Sequence, residues 1–268
     1  MTAIPKMLHQ TFPTKQLPSA LMDNISRLKA LHPSWAYNLY DDSDILDFIQ
    51  THYGVTLLSR YLSIAQPYGA ARADLFRYLL MYVNGGAYID IKSATDRPLE
   101  SCLTLNESYI LSKWRNGPGE AYQGSGLHPE LKAFPRGELQ QWHIICSPQH
   151  PYLAAVIESV LRNIHNYRPW SGGVGRTGVL RLTGPIAYTA AIEPIKHLHQ
   201  HRELFSHDEI GLVYSCLGEI DHRRFFRTHY TLLDMPIIEP PLRRKAQTAM
   251  YIAARRLKHG LLRRREVL

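Results

Sequence analysis

Residues 70–98, AARADLFRYLLMYVNGGAYIDIKSATDRP, constrain the fold more than any other stretch of this chain. Apolar residues recur at helical spacing up to Asn84-Gly85-Gly86, where glycine can end a helix in the left-handed conformation at no steric cost. Residues 88–91 then read as a short strand. A helix, a tight turn and a strand in direct succession belong to an alternating α/β architecture. On the helix, Asp74 and Arg77 are three residues apart and share a face. Asp90 falls at the carboxyl end of the strand, where open α/β sheets bind their ligands. A carboxylate there can hold a divalent cation or a ribose hydroxyl. Singly, each feature is ordinary: Gly-Gly punctuates many helices, and Asp-Arg at this spacing is often a surface ion pair. Joined in one block, they mark a site.

The flanking sequence extends the alternation. Residues 4–8 read as a buried strand ending at His9-Gln10, and residues 19–31 as a helix stopped before Pro33. Trp35, Tyr37 and Leu39 alternate as in a strand, and Asp42 or Ser43 can cap the helix that follows. Further on, residues 142–146 suit a strand and residues 151–167 a helix. Residues 186–201 suit a helix kinked at Pro194. Residues 114–137 and 169–177 are rich in Gly, Pro and polar side chains and read as long loops. Loops of that length are often functional. Within the second, Gly173-Val-Gly175-Arg-Thr-Gly178 matches a dinucleotide fingerprint but lacks the preceding strand that the fingerprint needs; it reads as a mobile loop able to close over a substrate. His197 and His201 stand one helical turn apart and read as a solvated helix end rather than a metal site.

Charge divides the chain. Its net charge is +8, and nine Lys or Arg against one acid, Glu266, place all of that excess after residue 242. Residues 1–242 are therefore an electrically neutral catalytic-sized domain, which argues against nucleic acid as a partner. Residues 243–268 form a basic tail. In it Met250, Ala253, Ala254, Leu257 and Leu261 fall on one helical face, a pattern suited to an anionic membrane surface, with a packed helix as the alternative. Three cysteines fit neither a zinc ribbon nor a disulfide framework, and the first residues lack a signal-peptide core; both features point to the cytosol.

Three segments resemble the family-32 glycosyltransferases, the sugar-binding "DXD" group that includes the yeast outer-chain mannosyltransferase and bacterial capsule and lipopolysaccharide enzymes. IPKMLHQTF at residues 4–12 resembles the family's opening strand, IPKxIHQTW. WAYNLYDDSDIL at residues 35–46 resembles its second strand and following helix. Residues 71–90 resemble its most specific segment, RADLFRYxxLYxxGGxYxD. Beyond residue 98 the likeness is looser, in SPQHP at 147–151 and TGP at 183–185. The resemblance implies a GT-A fold, a Rossmann-like, mainly parallel sheet flanked by helices. It also implies transfer of a hexose from a nucleotide-sugar to a surface-polysaccharide or lipid-linked oligosaccharide acceptor, with retention of configuration, at the inner face of a bacterial membrane.

The same resemblance assigns residues. Asp74, Arg77 and Asp90 become the catalytic set. His9, Gln10, Phe12, Arg72, Tyr88 and Lys92 join those three around the donor. A divalent metal, Mn²⁺ or Mg²⁺, would rest on Asp90 with a late histidine, His229 ahead of His222. One departure from the pattern has chemical weight: the second acid of DXD is Lys92, and an ammonium cannot ligate a cation. Either Lys92 faces the diphosphate beside a metal, or it replaces the metal's charge. A sugar-binding relative without turnover, and a basic-tailed membrane or nucleic-acid adaptor, are the rival readings.

Overall fold

A computed structural model describes residues 3–216 and 230–265. The chain runs β1 (Met7–Thr11), α1 (Ser19–Leu31), β2 (Ala36–Tyr40), α2 (Asp42–Leu62), α3 (Gly69–Asn84), β3 (Gly86–Ile89) and a short β4 (Ala94–Thr95). It continues through β5 (Tyr109–Ser112), β6 (His143–Cys146), α4 (Pro151–Asn166), α5 (Pro169–Gly172), α6 (Gly175–Leu182), α7 (Pro185–Ile192), β7 (Arg202–Leu204), β8 (Leu212–Val213) and α8 (Lys245–Arg265). Six strands form one sheet in the order β2-β1-β3-β6-β5-β7. Three of its five pairings are parallel, and β6 runs antiparallel to both neighbours. β4 and β8 make a separate antiparallel pair.

The sheet is covered on both faces because its strands carry apolar side chains on both. In β3, Tyr88 packs with α3, α4 and α7, whereas Ala87 and Ile89 face Leu8, Leu28 and Ile145 on the other side. The Gly85-Gly86 turn is obligatory for a packing reason. Gly86 has φ 91°, and a Cβ on it would lie 2.6 Å from the carbonyl oxygen of Met7; one on Gly85 would lie 2.6 Å from the Pro148 nitrogen. The turn therefore lets α3 reverse directly into the sheet beside β1.

Two local expectations change. Asp41, rather than Asp42 or Ser43, caps α2: its carboxylate accepts from the amides of Ser43 and Asp44, and Asp44 returns a bond to the Asp41 amide. Residues 169–177 are not a loop. They form α5 and the start of α6, and the Gly173–Gly178 run packs tightly, since a Cβ on Gly178 would strike the Gly173 carbonyl and Ile237 at 2.6 Å. The glycines serve close helix packing, not closure over a substrate. Residues 114–137 lack regular strands or α-helix but are tied down, Asn116 donating to the carbonyls of Ser125 and Arg136 and Trp114 Nε1 to Glu138. His201 meets Tyr152 across 2.9 Å, and no group of three or more His, Cys, Asp or Glu that could hold a metal occurs among the described residues.

The basic tail is docked on the body. Thr248 and Ile252 of α8 are buried, Tyr251 meets Trp170 of α5, and Arg256 pairs with Asp234 through both guanidinium branches. Of the apolar face read from the sequence, Met250 and Leu257 are 73% and 70% exposed. No helix among the described residues is long and apolar enough to cross a membrane.

Candidate active site

β1 lies between β2 and β3, parallel to both; the connection leaving β1 runs to β2 on one side, and the chain leaving β3 runs to β5 and β6 on the other. This is where an open α/β sheet leaves a crevice. The crevice is stitched across: Thr11 Oγ1 lies 3.0 Å from the Tyr88 hydroxyl, and Gln10 Nε2 donates to the Asp90 carbonyl at 3.2 Å. The Asp90 amide donates to the Trp142 carbonyl at 2.9 Å, which fixes the residue just past β3 against the strand entering β6.

Arg77 of α3 is the hub. It is 6% exposed, and its Nη1 donates to the Gln141 carbonyl at 2.8 Å and lies 3.2 Å from Asp90 Oδ1. Nη2 lies 3.3 Å from Asp74 Oδ1, and the guanidinium sits 4.8 Å over the Tyr88 ring. Burial works against its charge, but Asp90, Tyr88 and Asp74 outweigh it and hold the guanidinium firmly protonated. Asp74 is 4% exposed and already satisfied, accepting from Gln141 Nε2 at 3.1 Å and Thr183 Oγ1 at 2.9 Å. Burial raises its pKa, against the opposing pull of Arg77, Gln141 and Thr183. Burial likewise pushes the Tyr88 phenol up to about 12, so it stays neutral. Asp90 differs from the others in that a quarter of its side chain is open to solvent. The arrangement is a buried cation between two carboxylates, one sealed and one facing out. It can anchor sugar hydroxyls and set the position of a group bearing negative charge without rearranging.

The structure thus brings together Asp74, Arg77, Tyr88, Asp90 and Gln10. Phe12 is buried just beyond β1 with Leu17, Leu21 and Ile91, next to the Asp90 turn. Lys92 places its ammonium 4.0 Å from the centre of the Tyr214 ring. Two residues are placed elsewhere. His9, in register with Tyr88 and so on the same sheet face, opposite to Gln10, packs beneath Tyr40 and Gly85, where burial lowers its pKa to about 4. Arg72 lies two positions from Asp74, roughly half a turn round the helix, and both Nε and Nη2 donate to the Ile64 carbonyl. His222 and His229 lie outside the described residues. Sequence spacing does not single out Gln141 and Thr183: Gln140 and Gln141 look alike in sequence, and only the path of the irregular segment leading into β6 sends Gln141 to Asp74 while Gln140 meets Ser112 and His207. The SPQHP segment serves structure, with His150 capping α4.

The description "glycosyltransferase sugar-binding region containing DXD motif" matches residues 18–109, the stretch that supplies Asp74, Arg77, Tyr88 and Asp90. Over this stretch the chain is similar to the DXD glycosyltransferases. Among curated relatives, the chain is 31% identical over 182 residues to inositol phosphoceramide mannosyltransferase 3 of Schizosaccharomyces pombe, covering 68% of the chain and 44% of the relative. It is 28% identical over 178 residues to a mannosyl phosphorylinositol ceramide synthase of Saccharomyces cerevisiae, covering 66% and 41%. It is 26% identical over 153 residues to the initiation-specific alpha-1,6-mannosyltransferase of the same yeast, covering 48% and 32%. The chain spans less than half the length of each of these relatives. The UDP-bound glycosyltransferase domain from the YGT toxin superposes with a TM-score of 0.52 at 7% identity, over 83% of both chains. The chain has the GT-A glycosyltransferase fold.

Proposed function

We propose that this protein transfers a hexose, mannose on the strength of its relatives' names, from a nucleotide-sugar to a lipid-linked or glycan acceptor. The observation that carries the reading is the Asp74–Arg77–Asp90 set at the carboxyl ends of β1 and β3. Asp74 and Arg77, held by Gln141 and Thr183, position the donor sugar. Asp90 meets the ribose and the diphosphate side of the donor. Positioning and stabilisation of charge on the departing diphosphate are the catalytic terms, worth the most where polar groups are fixed in advance. Retention of configuration belongs to the same proposal.

A divalent cation, Mn²⁺ or Mg²⁺, fits only in part. Among the described residues Asp90 offers a single carboxylate, a quarter open to solvent, and Asp74 is sealed. That is no metal site without the donor's own phosphates, and no step here is routed through one. Lys92, resting on Tyr214 two residues from Asp90, is a cation available to the same region.

Two relatives are named for an inositol phosphoceramide, which supports a lipid-bearing acceptor. In a bacterium the corresponding acceptors are precursors of capsule or lipopolysaccharide, and the basic α8 would hold a cytoplasmic enzyme at the inner leaflet. The experiment is a turnover screen of GDP-mannose, UDP-glucose and UDP-galactose with the wild-type chain. Release of nucleotide from GDP-mannose is expected. Donor binding without turnover of any of the three would favour the sugar-binding reading that Lys92 raises.

A further inference from the structure

A cleft of about 240 Å³ opens between the end of α4, the start of α5 and residues 238–244 leading into α8. It shares no residue with the Asp90 centre. Arg168, Arg243 and Arg244 line it, with one exposed acid, Glu239, beside them. Arg168 donates one branch to the carbonyls of Asn166 and Tyr167. Desolvation first, then the like charges of Arg168 and Arg243, lower the pKa of Arg244. At the rim Arg60 meets His165 at 3.1 Å, adding a further cation.

Large apolar side chains stand exposed on the same elements. Trp170, 46% exposed, lines the cleft itself, and Leu242, between lining residues Pro241 and Arg243, is 82% exposed. Met250 and Leu257 project from α8 at 73% and 70%. Arginines mixed with exposed Trp, Leu and Met are what a bilayer interface accepts: phosphates take the cations and the acyl boundary takes the apolar groups. A nucleic acid or a free phosphate would use the arginines and leave the apolar side chains in water.

We propose that this cleft binds the phosphate head group of an anionic phospholipid, with Arg168, Arg243 and Arg244 on the phosphate and Trp170 seated in the interface. The proposal rests on the membrane reading above and deepens it: a built head-group site, half of it outside the basic tail, replaces general attraction by the tail's charge. It would hold α8 flat on the leaflet through its docked half.

The protein carries its own reporter. It has four tryptophans, and Trp35, Trp114 and Trp142 are 8%, 7% and 5% exposed, so a change in environment on binding reads out Trp170. The test measures tryptophan emission and co-sedimentation of the full chain with mixed phosphatidylglycerol/phosphatidylcholine vesicles, with pure phosphatidylcholine vesicles and with inorganic phosphate. A blue shift is expected with the anionic vesicles only, and it should vanish in Trp170→Phe. Arg243→Gln/Arg244→Gln should weaken vesicle binding at least ~10-fold, the scale of losing two cations near an anionic surface. Lys29→Gln/Lys132→Gln removes the same charge from exposed positions elsewhere and should change it by less than ~2-fold if the cleft is specific. Arg168→Gln is the second cleft variant, and unchanged thermal midpoints confirm that each variant is folded. Equal weakening by the cleft pair and the distant pair would overturn the site while leaving a charge-driven membrane contact. Phosphate binding without vesicle binding would overturn the lipid. Absence of any vesicle binding would overturn the membrane reading as well, with donor turnover in solution untouched.

Discussion

Arg77 and Asp90 meet across two elements, with Nη1 of the helix residue 3.2 Å from Oδ1 of the residue at the end of β3. The pair is asymmetric, because the arginine is buried and the carboxylate is a quarter open. Breaking it from either side therefore has different consequences. Asp90→Asn keeps the shape and leaves Arg77 paired with Asp74, so transfer should be abolished with the thermal midpoint nearly unchanged. Near-wild-type turnover in that variant would remove Asp90 from the site. Arg77→Ala leaves Asp74 buried without its cation and should cost about 3–5 kcal/mol of stability in addition to activity, read by urea unfolding.

Asp74 is held by Thr183 as well as Gln141. Thr183→Val removes one donor to a buried carboxylate while conserving volume. The expected result is a destabilisation of about 1–3 kcal/mol and a rise in KM for donor larger than the fall in kcat. Asp74→Ala should cut transfer by at least ~100-fold, the scale of losing a fixed polar contact in a dry site. Loss of stability with unchanged specific activity would reduce both residues to core ion-pair chemistry.

The Asp-Ile-Lys sequence makes metal dependence a sharp question. With a cation bridging Asp90 and the donor diphosphate, EDTA should stop turnover and Mn²⁺ or Mg²⁺ should restore it. Full activity in EDTA, coupled with a large loss in Lys92→Ala, would show instead that the ammonium over Tyr214 carries that charge.

Of the buried histidines whose pKa burial lowers, His9, His143 and His150 among them, the first two illustrate an acid limit on stability. Burial lowers the pKa of His9 to about 4 and that of His143, with a smaller contribution from His207, to about 3. In the unfolded chain both protonate near 6.5, so between about pH 6.5 and 4 only the unfolded state binds those protons. Stability is then fully present above pH 6.5 and falls on acidification by about 1.4 kcal/mol per pH unit for each histidine. Urea midpoints at about pH 7 and about pH 5 should differ accordingly, and His9→Gln should reduce the slope by one histidine's share. A pH-independent midpoint over that range would show that the rings are solvated.

What the sequence by itself determined is local and periodic. The helix, Gly-Gly turn and strand over residues 69–89 follow from spacing and from glycine's backbone freedom, and helical spacing puts Asp74 and Arg77 on one face. Tertiary structure decided what those residues touch. Gln141 and Thr183 reach Asp74 from 67 and 109 residues away, contacts no local pattern encodes. Period-two alternation, invisible until β1 is registered between β2 and β3, sends Gln10 to Asp90 and buries His9 on the other face. The glycines of residues 173–178 read as a loop because composition reports backbone freedom, whereas their role is to let α6 approach Ile237. The charge of residues 243–268 was plain in sequence. That their helix lies on Trp170 and Asp234, and so opens a cationic cleft with Arg168, was decided by packing, since side chains at one helical face can serve solvent or a partner and only the partner's position settles which.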